Sequence, residues 1–449
     1  MQITKSNYMN FFRHPAWLWV EKHDKSKLPP IGPSLQAIFD TGHEFEQYAE
    51  SLFEGGVQIE FGDYLSMTGR TQEAIASGAK LIFQPRFEWQ DFTFIADIVQ
   101  FVGDDELDLY EIKSSTGVRK DHLYDLAFQS AVLVGLGYKV HQVFVLHVNN
   151  QYVRQGDIEP EKFVSKVDVT SEVYELANFT AEQMPKAAAT VRQKEMPDPS
   201  FENLGILGRK SEWKPIFENI SPSPTDTPVG GEAIINKTEI KRFLNEWQYP
   251  LYFLDYETMS SLVPKFDGYR PYQQVPVQYS LHILREPDGE LEHREFLQTE
   301  NADPARFLAN QLIGDLGDKG SIVTWNMSFE KSCNKLLGEI CPNLTEQMQA
   351  INDRVVDLMT PFKSKWYDDP RFGGSASIKN VLPVLCPELS YAELAVQKGD
   401  QAQNLWMETV LSDKNPENRE QIFSDLREYC ALDTFAMVEI WRVLKKART

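Results

Sequence analysis

The sequence predicts an α/β chain of two domains, and three observations carry that expectation. Short runs rich in Val, Ile, Phe and Tyr alternate with segments of helical apolar spacing in both halves. A stretch rich in Pro, Ser, Asn and Gly, residues 194–231, has weak periodicity and contains Ser-Pro-Ser-Pro-Thr-Asp-Thr-Pro at 221–228. Each half also carries acidic residues on an apolar strand. At 449 residues the chain is long enough for two or three separate cores. The expected layout is a first domain over 1–193, a linker over 194–236 and a second domain over 237–449.

Composition narrows the class. The net charge of −21 argues against a surface that coats nucleic acid without preference. A local basic groove stays compatible with it, because charge interactions are screened beyond about 8 Å at physiological salt. Cys333, Cys341, Cys386 and Cys430 form no C-x-x-C pair, which speaks against a disulfide framework or a zinc ribbon and suits a reducing compartment. The opening residues lack an apolar signal core, and no run approaches the ~20 apolar residues of a membrane span. A soluble, cytoplasmic protein with no membrane partner is expected.

In the first half, residues 5–20 read as a short amphipathic helix with Ser6 as N-cap and Pro15 as a stop or restart. Pro29, Pro30 and Pro33 mark a loop. A helix over 34–53 follows from the spacing of Leu35, Ile38, Phe39, Phe45, Tyr48, Ala49, Leu52 and Phe53, with His43, Glu46 and Glu50 projecting from it. Then come a strand at 57–61, a helix at 71–77, and strands at 80–83, 86–89, 92–101 and 107–112. Gly103-Asp104-Asp105 makes the hairpin turn before the last of these. A helix over 120–136 closes at Gly137, and the strand 140–148 is apolar enough to be buried on both faces.

Asp97 lies on one strand of that hairpin. Glu111 and Lys113 lie on the next, two residues apart and so on one face. If Asp97 faces them, two acids and one base converge. That trio suits phosphodiester cleavage: Asp97 and Glu111 would hold a divalent metal, and Lys113 would orient a water or stabilise charge on phosphate oxygen. A cross-strand ion pair on an exposed face is the plain alternative; Phe94, Ile95, Ile98, Tyr110 and Ile112 around the charges favour a partly buried site. Gln129 on the following helix, and Lys120 and His122 where the loop enters it, are further candidates, the latter two for nucleic-acid contact.

These residues resemble the RecB-like branch of the PD-(D/E)XK nuclease superfamily over roughly residues 3–155. The pattern of that branch is a helix with Glu or His, a strand with Asp, Glu-x-Lys, then a helix with Gln. It falls on Glu46, Asp97, Glu111, Lys113 and Gln129, with His43 competing for the first place. The resemblance implies Glu46, Asp97 and Glu111 as metal ligands and Lys113 and Gln129 as catalytic. Relatives with an iron–sulfur cluster use an early Cys-Pro. Here Arg13-His14-Pro15-Ala16-Trp17-Leu18-Trp19 has His14 in that place and this half has no Cys, so no iron–sulfur cluster is expected.

In the second half a helix over 237–247 precedes the strand 251–259. A polar, aromatic loop spans 264–276. Strands at 278–285 and 292–297 flank the turn Pro287-Asp288-Gly289. A helix over 303–315, a buried strand over 321–325, a helix from near Ser328 and a last helix over 418–446 complete the chain. Asp255 and Glu257 share one face of their strand, and two adjacent carboxylates repel unless a cation lies between them. A hard divalent ion, Mg²⁺ or Mn²⁺, suits such oxygen ligands. Downstream, Asn326 and Glu330 sit where a strand enters a helix, and Tyr429 and Asp433, four apart, share a helical face. Separately, Glu330 is an ordinary N-terminal helix acid and Tyr429 and Asp433 an ordinary surface pair. Together, Asp255, Glu257, Glu330 and Asp433 would hold up to two metal ions about 3.5–4 Å apart, with the Tyr429 hydroxyl orienting water.

This order of motifs resembles the tyrosine subclass of the DEDD 3′–5′ exonucleases, which have an RNase H-like fold. The resemblance implies a mixed sheet with flanking helices. Glu330 stands where Asp is usual, which puts rate or metal preference in question. Over nearly its full length the chain resembles a bacterial family of uncharacterised function that fuses the two nuclease types, including Tyr152-Val-Arg154 and Gly373-Gly-Ser-Ala-Ser-Ile-Lys379. Lys379 and Asn326 are expected to face nucleic acid, with a plain turn before a helix as the open alternative for Lys379, and Asp357 would support the metal from behind its ligands. The expected function is a bifunctional metal-dependent nuclease on DNA, in repair, recombination or defence against foreign DNA, with possible protein partners there. The alternatives are a nucleic-acid-binding or scaffold protein with one or both sites inactive, and an exonuclease directed at RNA.

Overall fold

Aromatic and β-branched runs pair into mixed sheets in both halves of the chain. The computed structural model describes residues 1–30, 33–221, 231–414 and 416–447, and the chain divides into two units, Met1–Thr225 and Asp226–Thr449. Both are mixed α/β.

The strands of the first unit are β1 (Ile3–Thr4), β2 (Val57–Gln58), β3 (Leu81–Phe83), β4 (Arg86–Trp89), β5 (Phe92–Ile95), β6 (Ile98–Phe101), β7 (Glu106–Lys113), β8 (Lys139–Val148) and β9 (Val164–Asp168). Its six-stranded sheet runs β2-β3-β6-β7-β8-β9. β7 and β8 are parallel, β6 and β7 antiparallel. The helix Lys120–Gly135 makes the crossover between β7 and β8, and its Leu126, Phe128, Val132 and Leu133 are buried in the core. A second sheet, β1-β5-β4, joins the chain's first strand to the middle of the unit.

Three expectations change here. The first helix is capped by Thr4, not Ser6: the Thr4 hydroxyl accepts the Asn7 N–H and the Asn7 side chain accepts the Thr4 N–H. The strand expected over 92–101 is two strands. Residues 92–95 pair with β4, while 98–101 pair with β3. The chain changes sheets at Ala96-Asp97, so Asp97 sits at a break rather than within a ladder. The linker expected over 194–236 is largely not one, because residues up to Ser221 belong to the first unit. Gly205 N–H donates to Arg13 O at 2.9 Å. A Cβ at Gly205 would lie 2.1 Å from Phe12 O, so only glycine allows that approach. The helix Lys210–Ile220 buries Trp213 completely. Its indole stacks on His14 at 4.0 Å and donates to Pro199 O at 2.8 Å. His14 in turn caps the helix Pro15–His23, its Nδ1 accepting the Ala16 N–H. Trp213→Ala is expected to cost about 3 kcal/mol or more, read as a lower denaturant midpoint for the first unit. Of the expected linker motif, residues 222–228 lie outside the described residues, as do the side chains of Leu35, Ile38 and Phe39.

The second unit holds β10 (Ile234–Ile235), β11 (Leu251–Met259), β12 (Val275–Leu284), β13 (Leu291–Leu297), β14 (Ser321–Thr324), β15 (Val355–Asp357) and β16 (Tyr367–Asp368). Its main sheet runs β13-β12-β11-β14-β15. β12 is antiparallel to both of its neighbours, β13 and β11, and β11, β14 and β15 are parallel. Alternation along β11 sends Tyr252, Leu254 and Tyr256 into one core and Leu251 and Phe253 into the other. Asp255 and Glu257 continue the second set. The helix Arg419–Ala447 covers that face, with Trp441 5.9 Å from Phe253. Two residues along the strand and about two turns back along this helix, Asp433, Cys430 and Tyr429 meet the two acids. Among the described residues no helix is long and apolar enough to cross a membrane.

Candidate metal centres

Parallel pairing of β11 with β14 puts the end of β11 beside the start of the helix Met327–Ile340. Four acids gather there. Asp255, Glu257 and Cys430 offer oxygen and sulfur atoms that all lie within 4.8 Å of one another. Burial raises the Asp255 carboxyl well above the ordinary range, and the charges of Asp433, Glu257 and Glu330 raise it further. Burial and Asp433 do the same to Glu257. Asp433 is pushed up to about 6 by burial, offset in part by the Tyr391 hydroxyl, which donates to its Oδ1 at 2.6 Å, and by Lys379. Glu330 is pushed up to about 8 by burial and by Asp357. Its Oε2 is buried with no hydrogen-bond partner among the described residues. Tyr429 Oη and Glu257 Oε2 converge under Gly399, where a Cβ would stand 4.0 and 3.7 Å from them. Lys379 Nζ lies 5.7 and 5.9 Å from the rings of Tyr391 and Tyr429 and donates to Gln397 O.

An acidic cluster with an orphaned buried carboxylate oxygen is a donor set for a divalent cation. Asp255 and Glu257 stand closest together, with the Cys430 thiol, and Glu330 and Asp433 lie near enough to act on the Asp255 carboxyl. Asp357 stands behind Glu330, its Oδ1 taken by the Met359 N–H. Asn326 is exposed at the start of its helix and makes no side-chain cap.

The first unit builds a different site. Asp97 Oδ2 accepts the Ile112 N–H at 2.6 Å. Glu111 Oε1 accepts from Lys113 at 2.7 Å and from Lys5 at 2.8 Å, and its Oε2 accepts from Gln129 at 2.7 Å. Lys113 also donates to Asp125 at 2.8 Å. Burial alone would push Glu111 up; the two ammonium groups and Gln129 override it and hold it well below the usual carboxylate range. Asp97 is pushed up to about 7 by burial and by the Glu111 charge. Glu46 pairs with His43 at 3.0 Å, and both line a cavity of about 560 Å³ that Asp97 and Lys5 also face.

One expected nucleic-acid contact is corrected. His122 is 2 % exposed, and its Nδ1 accepts the Arg119 N–H at 3.2 Å. Burial and the Lys113 charge push it down to about 4, so it is a neutral internal group. Lys120 is exposed, 5.6 Å from the Tyr124 ring. Four site residues escaped the sequence reading. Asp125 had a signal, being four residues before Gln129 on one helical face. Cys430 had one as well, three residues before Asp433. Lys5 and Tyr391 had none, since a first-turn lysine and a loop tyrosine carry no periodicity.

Residues 252–377 match the model of a domain of unknown function, DUF2779. The uncharacterized protein MG366 of Mycoplasma genitalium is 30% identical over 233 residues, covering 47% of this chain and 34% of that protein. Its homolog in Mycoplasma pneumoniae is 31% identical over 242 residues, 48% of this chain and 35% of that protein. The chain thus spans about a third of the length of these relatives. A crystal structure of SSO0001 is 10% identical and covers 40% of this chain and 76% of its own, with a TM-score of 0.22, too slight a likeness to show a fold.

Proposed function

We propose that the chain is a metal-dependent nuclease with two hydrolytic sites, acting on DNA. The observation that carries this is the meeting of half-buried Asp255 and Glu257 with buried Glu330 and Asp433, from three distant segments, in one acidic cluster. The order β13-β12-β11-β14-β15, antiparallel then parallel, supports an RNase H-like reading of the second unit. In the first unit, Asp97 and Glu111-x-Lys113 on adjoining strands, with Gln129 on the crossover helix, support a PD-(D/E)XK reading.

A divalent ion on the four acids would activate a water and neutralise phosphate oxygen. The chain's own groups do the rest. Tyr429, beside Glu257, orients the attacking water. Tyr391 fixes the rotamer of Asp433. Lys379 draws the backbone toward the acids. In the first unit Lys113 stabilises charge on the phosphate, and Gln129 holds Glu111 in place. With four free, buried cysteines, a reducing cytoplasm suits the protein, and the partners are those of repair, recombination or defence.

The test uses end-labelled single-stranded DNA, duplex DNA and RNA with Mg²⁺ or Mn²⁺. Asp255→Ala is expected to stop 3′-end trimming and leave any cleavage that depends on Lys113. Lys113→Ala is expected to do the converse. If neither variant changes turnover of any of the three substrates, the proposal fails and a binding or scaffold role replaces it. DNA retention in EDTA is expected to be weak, given the net charge of −21.

A further inference from the structure

Lys5 is the unexpected member of the first unit's site. Pairing of β1 with β5 sets its place: Thr4 lies opposite Thr93, and Lys5 opens the first helix. Its Nζ is 2.8 Å from Glu111 Oε1 and 3.9 Å from Asp97 Oδ1. It therefore stands between the two carboxylates that the nuclease reading assigns to a metal, at the wall of the 560 Å³ cavity.

The hydrogen bonds show what an entering cation would meet. Three carboxylates, Asp97, Glu111 and Asp125, face two ammonium groups, Lys5 and Lys113. Glu111 has no idle oxygen, since Oε1 takes both lysines and Oε2 takes Gln129. Lys5 spans Asp97 Oδ1 and Glu111 Oε1, so an ion bridging the two acids along that side needs Oε1, and one lysine must leave it. Lys113 is anchored on Asp125 as well, at 2.8 Å. Lys5 has no such second anchor, because its distance to Asp97 exceeds a hydrogen bond. Lys5 also lines the cavity, which Lys113 does not, and so has space to move into.

We propose that Lys5 holds the seat between Asp97 and Glu111, and that a divalent cation enters there only by displacing its ammonium group. The inference rests on the nuclease reading of the first unit. Lys5 is then a positioning residue that lowers metal affinity at rest.

The test measures free Mn²⁺ by electron paramagnetic resonance during titration of the full chain. Asp255→Asn with Glu257→Gln silences the second unit's site, and Asp97→Asn defines which binding belongs to the first. In that background Lys5→Met is expected to bind Mn²⁺ about tenfold tighter than Lys5 itself. Lys5→Arg, which keeps a cation in the seat, is expected to give no tightening. Lys5→Gln serves if the Met variant melts early without metal. Lys120→Met removes an exposed positive charge outside the seat and is expected to leave affinity within twofold. Equal or weaker binding by both Lys5→Met and Lys5→Gln would overturn the proposal while leaving the metal site standing, as would a gain matched by Lys120→Met. If no variant shows binding that depends on Asp97, the nuclease reading of the first unit falls as well.

Discussion

Asp255→Asn is expected to raise the thermal midpoint of the metal-free protein at pH 8 while lowering 3′-end hydrolysis by about 10³-fold. The two effects have one cause. Burial pushes Asp255, Glu257, Glu330 and Asp433 all above their ordinary values; the charges of Asp433, Glu257 and Glu330 add to it at Asp255, that of Asp433 at Glu257 and that of Asp357 at Glu330. A carboxyl whose folded value is raised holds its proton longer in the folded chain than in the unfolded one. Stability from this site is therefore highest below the unfolded carboxyl range near 4, and it falls as pH rises through about 6 for Asp433 and about 8 for Glu330. Removing one acid removes part of that loss. On the proposed metal-dependent reading Mg²⁺ or Mn²⁺ would bind the ionised form, so its stabilising shift should be larger at pH 8 than at pH 6. Scanning calorimetry at the two pH values, with and without metal, checks this. A variant that melts lower than the parent at pH 8 without metal would contradict it.

Lys113→Met is the second large effect, with the opposite sign for stability. Lys113 lies between Glu111 at 2.7 Å and Asp125 at 2.8 Å, and those acids are 1 % and 6 % exposed. Removing the ammonium leaves two buried carboxylates short of a partner, which costs about 3–5 kcal/mol. Cleavage by the first unit should fall at least ~10²-fold as the phosphate loses its counter-charge. The double variant Lys113→Met with Asp125→Asn separates the effects: much of the stability should return and the activity should not. Urea melts of the three proteins beside a cleavage assay read both. Glu111 is held below its usual range, so its contribution is present above pH ~4 and is lost on acidification.

The parts of these sites that sequence made legible are those that periodicity fixes. Asp255 with Glu257, and Glu111 with Lys113, stand two apart on strands, and a strand leaves no choice of face. Tyr429 and Asp433 stand four apart on a helix that was clear from its apolar stripe. Asp97 was legible as a residue but not in its setting, because no local signal says that residues 92–95 and 98–101 join different sheets. Lys5 and Tyr391 reach their sites through tertiary packing alone. His122 misled for a related reason: a polar residue before an apolar helix reads as exposed, and only the packed structure shows it enclosed. The stretch after residue 193 misled through composition, since Pro, Ser and Gly there mark a segment that wraps a helix end.

That wrapped segment decides where the protein may be divided. A fragment ending at residue 193 would lose the indole that seals the His14 ring and would expose the apolar floor beneath it, inviting aggregation in place of a soluble domain. A fragment carried through residue 225 keeps the plug, so severing the polypeptide there is the way to study either unit in isolation.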